Sequence, residues 1–204
     1  ILPQDEFFLF CDQLLDKYKN NKKISIISGW NPIQNLEIKE SYMFSEFPKI
    51  WGWATWKRSW VKFDRNMNAW PNKKKNQWMK VDLNKDFFFR YYWEKVFNDS
   101  YLKNNKTWDY NLVYSNWCNK TLTIVPKYNL VQNQDKFQKE KTTHKNNFKI
   151  NILKKKLKFP LIHPVNINVN SLYDKLFYKK FYNFKIFYLN IALIKLLKKI
   201  FRNI

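Results

Sequence analysis

Among the carboxylates of this chain, Asp109 is the one whose neighbours suggest chemistry. It stands in "TWDY", between Trp108 and Tyr110, behind a polar stretch and at the start of a predicted helix. The helix dipole favours a carboxylate there, so one reading is a plain capping-turn residue. The other is a general base, ionised and flanked by rings that shape a sugar or base site. Spacing alone leaves both open. Asp64, Asp82 and Asp86 read as helix-start or surface groups.

A second concentration lies in "KIWGWATWKRSW", with Trp51, Trp53, Trp56 and Trp60 in ten residues. Gly52 sits inside it. The chain has only one other glycine, Gly29, again before a tryptophan, in "SGW". Glycine serves where the backbone needs φ > 0 or must come close to another group, and a bound ligand is one such group. Indole faces stack on the apolar faces of sugar rings. Trp51 and Trp53, flanking the glycine, are therefore candidate ligand contacts, and Trp56 and Trp60 read as core.

Other chemistries lack their residues. No spaced Cys and His cluster suggests a metal site. No Gly-rich phosphate loop or serine nucleophile elbow is present. His144 and His163 are isolated and read as surface or satisfied histidines. Cys11 and Cys118 read as buried thiols rather than a disulfide framework. The 204 residues are 45% hydrophobic and 20% aromatic, enough for one ordinary domain with a core. The formal charge of +22 suggests an anionic partner, discounted here because abundant Lys, Asn and Ile also look like a compositional bias of the coding sequence. No apolar run reaches the roughly 18 residues of a membrane span.

The elements that must position these residues alternate. Residues 5–19 have apolar positions at helical spacing, and "KISIIS" reads as a buried strand stopped by Gly29. "ESYMFSEF" reads as another strand. "WATWKRSWVKF" reads as a helix carrying Trp53, Trp56 and Trp60 on one face, and "NMNAWPNKKKNQ" as a basic loop. Asp82 to about Asn98 is a predicted amphipathic helix, "TWDYNLVYSNWCNK" another with Thr107 as N-cap, and "TLTIVP" a strand. This alternation argues α/β. Residues 132–147 look like a linker. Residues 171–204 look like a tail whose Leu193, Leu196, Leu197 and Ile200 oppose Lys195, Lys198, Lys199 and Arg202, a basic amphipathic helix of the kind that lies on membranes.

The order "SYMFSEFPKIWGWATWKRSW", "TWDYNLVYSNW", "TLTIVPKYNLVQN" resembles the C-terminal half of bacterial nucleotide-diphospho-sugar glycosyltransferases of the GT-A type. More remotely it is similar to the animal N-acetylglucosaminyltransferases of N-glycan synthesis. The resemblance covers about residues 1–135, with an echo in "FPLIHP". It implies a partial GT-A, Rossmann-like α/β domain over 1–135 on the acceptor side, an extension over 136–170 and the helical tail over 171–204. In the family, a phrase like "ILP" follows an acidic metal-binding triplet, so "ILPQDEFF" implies that a divalent Mn or Mg has its main ligands before Ile1. Carried over, Asp109 is the catalytic base of an inverting transfer. Trp51, Gly52 and Trp53 belong to the loop beside donor and acceptor, with Trp108 beside the base. Ser28, Gly29 and Asn31 match a segment beside the sugar pocket. Relatives carry a glycine after "NLVQN", where this chain has Gln134 and Asp135. The Thr143–His144 pair is retained, which makes His144 a candidate metal or phosphate contact.

The expected partners are a nucleotide-sugar donor, a glycan or lipid-linked acceptor and an anionic membrane surface, with no nucleic acid. The expected place is the cytoplasm, peripheral at the inner face of the membrane. Two readings without catalysis compete. One is a basic aromatic protein for single-stranded nucleic acid, which would interleave exposed aromatics with lysines on a sheet. The other is a peripheral membrane protein whose tail is the whole function.

Overall fold

The computed structural model describes residues 1–33, 36–104, 107–132 and 155–182. Its centre is a four-stranded mixed sheet. Strand β2 (Ile24–Ser28) is buried at all five positions, as an uninterrupted apolar run in an interior strand requires. It pairs in parallel with β5 (Leu122–Pro126) on one side and antiparallel with β4 (Trp53–Thr55) on the other. Strand β3 (Tyr42–Ser45) closes the far edge, antiparallel to β5, giving the order β3-β5-β2-β4. A separate two-stranded ribbon joins β1 (Leu2–Pro3) to β6 (Val131–Gln132). The protein is thus mixed α/β with a small mixed sheet.

Both faces of the sheet are covered, and the two-residue period of the strands shows it. Tyr42, Phe44 and Ile124 pack with Phe10 and Leu14 of α1 (Asp5–Lys17) and with Leu157 and Leu161. Met43 and Val125, one position along, point into the second core. That core is built by α3 (Trp70–Lys75), α4 (Trp78–Val81), α5 (Phe87–Tyr101), α6 (Asp109–Cys118) and α7 (Ser171–Phe181). Its centre is aromatic: Trp93 and Trp117 lie 4.7 Å apart edge-to-face, and Trp70, Phe97 and Tyr114 close around them.

Several sequence expectations change. Trp53 does not begin a helix. Residues Trp53–Thr55 pair with β2, and only Lys57–Trp60 (α2) is helical. The spacing 53, 56, 60 fits a helical face, but the open edge of β2 offers a ladder of hydrogen bonds and wins. The expected loop at 66–77 contains α3, which carries proline in its first turn where the missing N–H costs nothing. The helix expected from Asp82 starts at Phe87, where the Asp86 carboxylate caps it by accepting from the N–H groups of Phe88 and Phe89 at 2.8 and 2.9 Å. Trp60, expected in the core, is 45% exposed. His163 is a satisfied histidine, as read, with its Nδ1 hydrogen-bonded to the Tyr42 hydroxyl at 2.9 Å. Both cysteines are free thiols, Cys11 buried and Cys118 half-buried.

The stretch 171–181, expected as the start of the tail, is α7, and it is anchored on the core. Tyr173, Asp174 and Phe177 are buried. The Asp174 carboxylate accepts from Ser45 Oγ at 2.5 Å and from the Glu46 N–H at 2.9 Å. Ser45 Oγ accepts in turn from the ammonium of Lys49, which also donates to the Phe47 carbonyl and lies 4.2 Å from the centre of the Phe177 ring. Lys49 is 2% exposed. The amphipathic face around Leu193 and Lys195 lies outside the described residues. No described helix is long and apolar enough to cross a membrane.

Burial pushes the Lys49 ammonium down to about 7, with the Asp174 charge opposing the shift. The unfolded chain keeps that proton up to about 10.5, the ordinary lysine value. Above pH 7 the unfolded state therefore holds more protons, and stability rises with pH up to that range. Asp174 is raised, by burial first, and gives a slope of opposite sign from the ordinary carboxylate range upward. Denaturant titrations should show stability climbing between pH 7 and 9.5, and the climb should vanish in Lys49→Met. Asp174→Ala, which strands the lysine and two donors, should cost about 3 kcal/mol or more at pH 7.

Candidate functional site

The candidate residues meet where β2 and β4 end. Ser28 is the cross-strand partner of Trp53. One residue on, the Gly29 N–H donates to the Gly52 carbonyl at 2.7 Å, and the Gly29 carbonyl accepts from the Leu130 N–H at 2.8 Å. Gly52 has φ +61°, which glycine adopts without cost. A Cβ on it would collide with the Val131 side chain, and a Cβ on Gly29 would stand 2.7 Å from Phe7 and from Val131. Both glycines thus admit a close approach of protein groups. The neighbour that demands them is Val131 of β6, not open space.

Ser28 and Asn31 shape the turn that follows β2. Ser28 Oγ accepts from the Trp30 N–H at 3.0 Å. Asn31 is fully buried: its amide donates to the Pro126 and Lys127 carbonyls, and its carbonyl oxygen accepts from the Ile33 N–H. Ser28 thus closes the local turn, and Asn31 ties it to the end of β5.

That surface divides at Gly52. Trp51 turns to Trp30, ring centres 4.8 Å apart, and Trp30 continues to Phe181 of α7 at 5.3 Å. Trp53 turns the other way, to Trp108 at 6.1 Å and Trp60 at 6.0 Å, and Phe63 stacks on Trp60 at 5.1 Å. Trp108 is 44% exposed. The Trp30 Nε1–H is buried with no acceptor among the described residues, a donor left over beside the Trp51 ring.

Asp109 follows Trp108 and is the first residue of α6. The expected Thr107 cap is only partly made: Trp108 holds the cap position, and Thr107 Oγ1 accepts from the Asp109 N–H at 3.3 Å. Asp109 Oδ1 accepts from the Tyr110 N–H at 3.0 Å. The Asp109 charge acts on three phenols. Burial first keeps Tyr92, Tyr110 and Tyr182 above the ordinary tyrosine range, and neighbouring phenols, for Tyr92 and Tyr182, and then the Asp109 charge add to it. All three stay protonated and able to donate at neutral pH.

The structure therefore brings Trp53 and Trp108 together, with Asp109 next to Trp108 at the start of α6, Gly52, Gly29 and Ser28 as support for Trp53, and Trp51 on the far side of the glycine. His144 lies outside the described residues. Sequence reasoning named Tyr110 beside Asp109 but missed Trp30, Tyr92 and Tyr182 as members of this surface. Trp30 had a signal in "SGW". Tyr92 and Tyr182 had none, since nothing in their local pattern points to Asp109. Among the described residues no group of three His, Cys, Asp or Glu side chains is placed to hold a metal ion, so the described part of the chain does not by itself fit the divalent metal that the resemblance implies. Comparison with protein-family models finds no matching family, and no curated protein or solved structure matches the chain significantly.

The close approach at Gly52 gives a direct prediction. Gly52→Ala combines a left-handed φ with overpacking against Val131 and should destabilise the protein by about 2 kcal/mol or more. Val131→Ala should relieve part of that loss, so a double-mutant cycle by chemical denaturation should show coupling between the two sites. Additive losses would place the strain elsewhere.

Proposed function

We propose that this chain carries the acceptor side of an inverting, GT-A type nucleotide-sugar glycosyltransferase, with Asp109 as the general base. The observation that carries the reading is the contact of the Trp53 and Trp108 rings across more than fifty residues of sequence, with Asp109 the residue next to Trp108. Asp109 follows the exposed Trp108 in the chain, and its charge acts on the protonated phenols of Tyr92, Tyr110 and Tyr182. Such a surface suits a sugar ring, which offers an apolar face to indoles and hydroxyls to donors and acceptors.

In this reading an acceptor glycan stacks on Trp108 and Trp53 and presents one hydroxyl to Asp109. The carboxylate takes that proton as the oxygen attacks the anomeric carbon of the donor, and the nucleoside diphosphate leaves from the opposite face. Asp109 sits in the first turn of α6, where the helix dipole favours its ionised form. The phenols around it are placed to hold neighbouring hydroxyls. A divalent metal, if bound as in the resembled family, supplies charge neutralisation of the leaving diphosphate. The described residues perform the other tasks, which are stacking, orientation and proton removal.

Asp109→Asn should lower turnover of a nucleotide-sugar donor by roughly a hundredfold or more, the usual scale for a lost general base. Donor affinity should be almost unchanged. Steady-state kinetics of donor consumption in the presence of acceptor glycans provide the measurement. Equal turnover in the mutant would assign Asp109 to helix capping.

A further inference from the structure

We infer that a second site, a groove between α2 and α6, binds a small phosphorylated sugar. The inference does not depend on the transferase reading. The groove has a volume of about 160 Å³ and lies against β2 and β4; it shares Trp60 and Phe63 with the aromatic surface, but Trp53, Trp108 and Asp109 do not line it. Typical sites for larger organic ligands run to roughly 300–1,000 Å³, so this one suits a compact ligand.

Its charge is one-sided. Lys22, Arg58 and Lys62 line it, and no carboxylate does. Arg58 is fixed by donating to the Lys19, Ile24 and Tyr18 carbonyls, each at 2.8 Å, and lies over the Trp56 ring at 4.3 Å. All of these partners are uncharged. Its charge is thus held in place and not cancelled by an acid. Lys22 and Lys62 are exposed at the rim, and neither belongs to an ion pair among the described residues. Arg58 also donates to Ser59 Oγ, so it contributes mainly a fixed positive charge, while the two exposed lysines lining the same groove have ammonium donors available to a phosphate.

The rest of the lining suits a polyol. Asn116, Ser25 and Thr121 form one buried hydrogen-bonded wall, in which Asn116 Oδ1 accepts from both hydroxyls. The last carbonyls of α6 would repel an anion if bare. They are instead occupied: Asn119 donates to the Ser115 carbonyl, Thr121 to that of Asn116 and Lys120 to that of Trp117. The stacked rings of Trp60 and Phe63 give an apolar platform at the mouth, on which a sugar ring can lie. Cations, hydroxyls and one indole face together select a sugar phosphate over a bare sugar and over an apolar ligand.

The test is isothermal titration of the full chain with glucose 1-phosphate and, separately, with glucose. We expect saturable binding of the phosphorylated sugar at least tenfold tighter than that of glucose. Lys22→Gln or Lys62→Gln should weaken it about tenfold, the scale of a lost charge-assisted hydrogen bond. Lys75→Gln, an exposed lysine on α3 outside the groove, should leave it unchanged. Thermal melts of the variants check that the fold is kept. Absence of binding, equal binding of glucose, or binding that neither rim substitution weakens would overturn the inference.

Discussion

The contact between Gly29 and Gly52, with Val131 wedged against both, sets the geometry of the whole aromatic end of the protein. A backbone N–H to carbonyl bond of 2.7 Å joins two turns that a side chain on either residue would force apart. The consequence is geometric. Trp51 and Trp53 leave a left-handed glycine in different directions, one toward Trp30 and α7, the other toward Trp108 and α6. Two indole clusters are thereby built from one loop. Without the positive φ at Gly52, the two rings would not part in this way and Trp108 would lose its contact with Trp53.

A second constraint works from behind the sheet. The chain Lys49, Ser45, Asp174 ties α7 to β3 through a buried ammonium, a hydroxyl and a carboxylate. Buried ionic groups of this kind add little net stability over well-packed apolar ones, but they are costly to mismatch. Their effect is specificity of register. Asp174 meets Ser45 only when Phe177 and Phe181 lie against Phe47 and Trp30. The same helix end carries Tyr182 into the aromatic core beside Tyr92, where the Asp109 charge acts on its phenol, so the buried ionic chain and that phenol are set by one helix on one face of the sheet.

The extent to which this was legible in the sequence follows from where the deciding interactions lie. Local periodicity carried α1, α6, β2 and β5, because their apolar patterns match one element only. It misled at Trp53, where three tryptophans at helical spacing are divided between a strand and a short helix by pairing with β2, a contact between segments about thirty residues apart. It was silent on Lys49, since no neighbour distinguishes a buried lysine from the many exposed ones. Asp109 could be picked out from its flanking rings, and the resemblance gave it a role. Its phenolic surroundings depend on α5 and α7 arriving from distant positions. The glycines were read as room for a ligand, and the structure gives that room to Val131.

The most direct test of the account is whether sugar binds at the Trp53–Trp108 surface. Indole N–H resonances of the isotopically labelled protein, assigned through single Trp→Phe variants, can be followed as hexose and N-acetylhexosamine oligosaccharides are added. The account predicts saturable shifts at Trp108 and Trp53 with an acceptor glycan, loss of those shifts in Trp108→Ala, and no change at the buried Trp70 and Trp93. Glycan binding that moves other indoles and leaves Trp53 and Trp108 still, or no response to any oligosaccharide in the set, would contradict it.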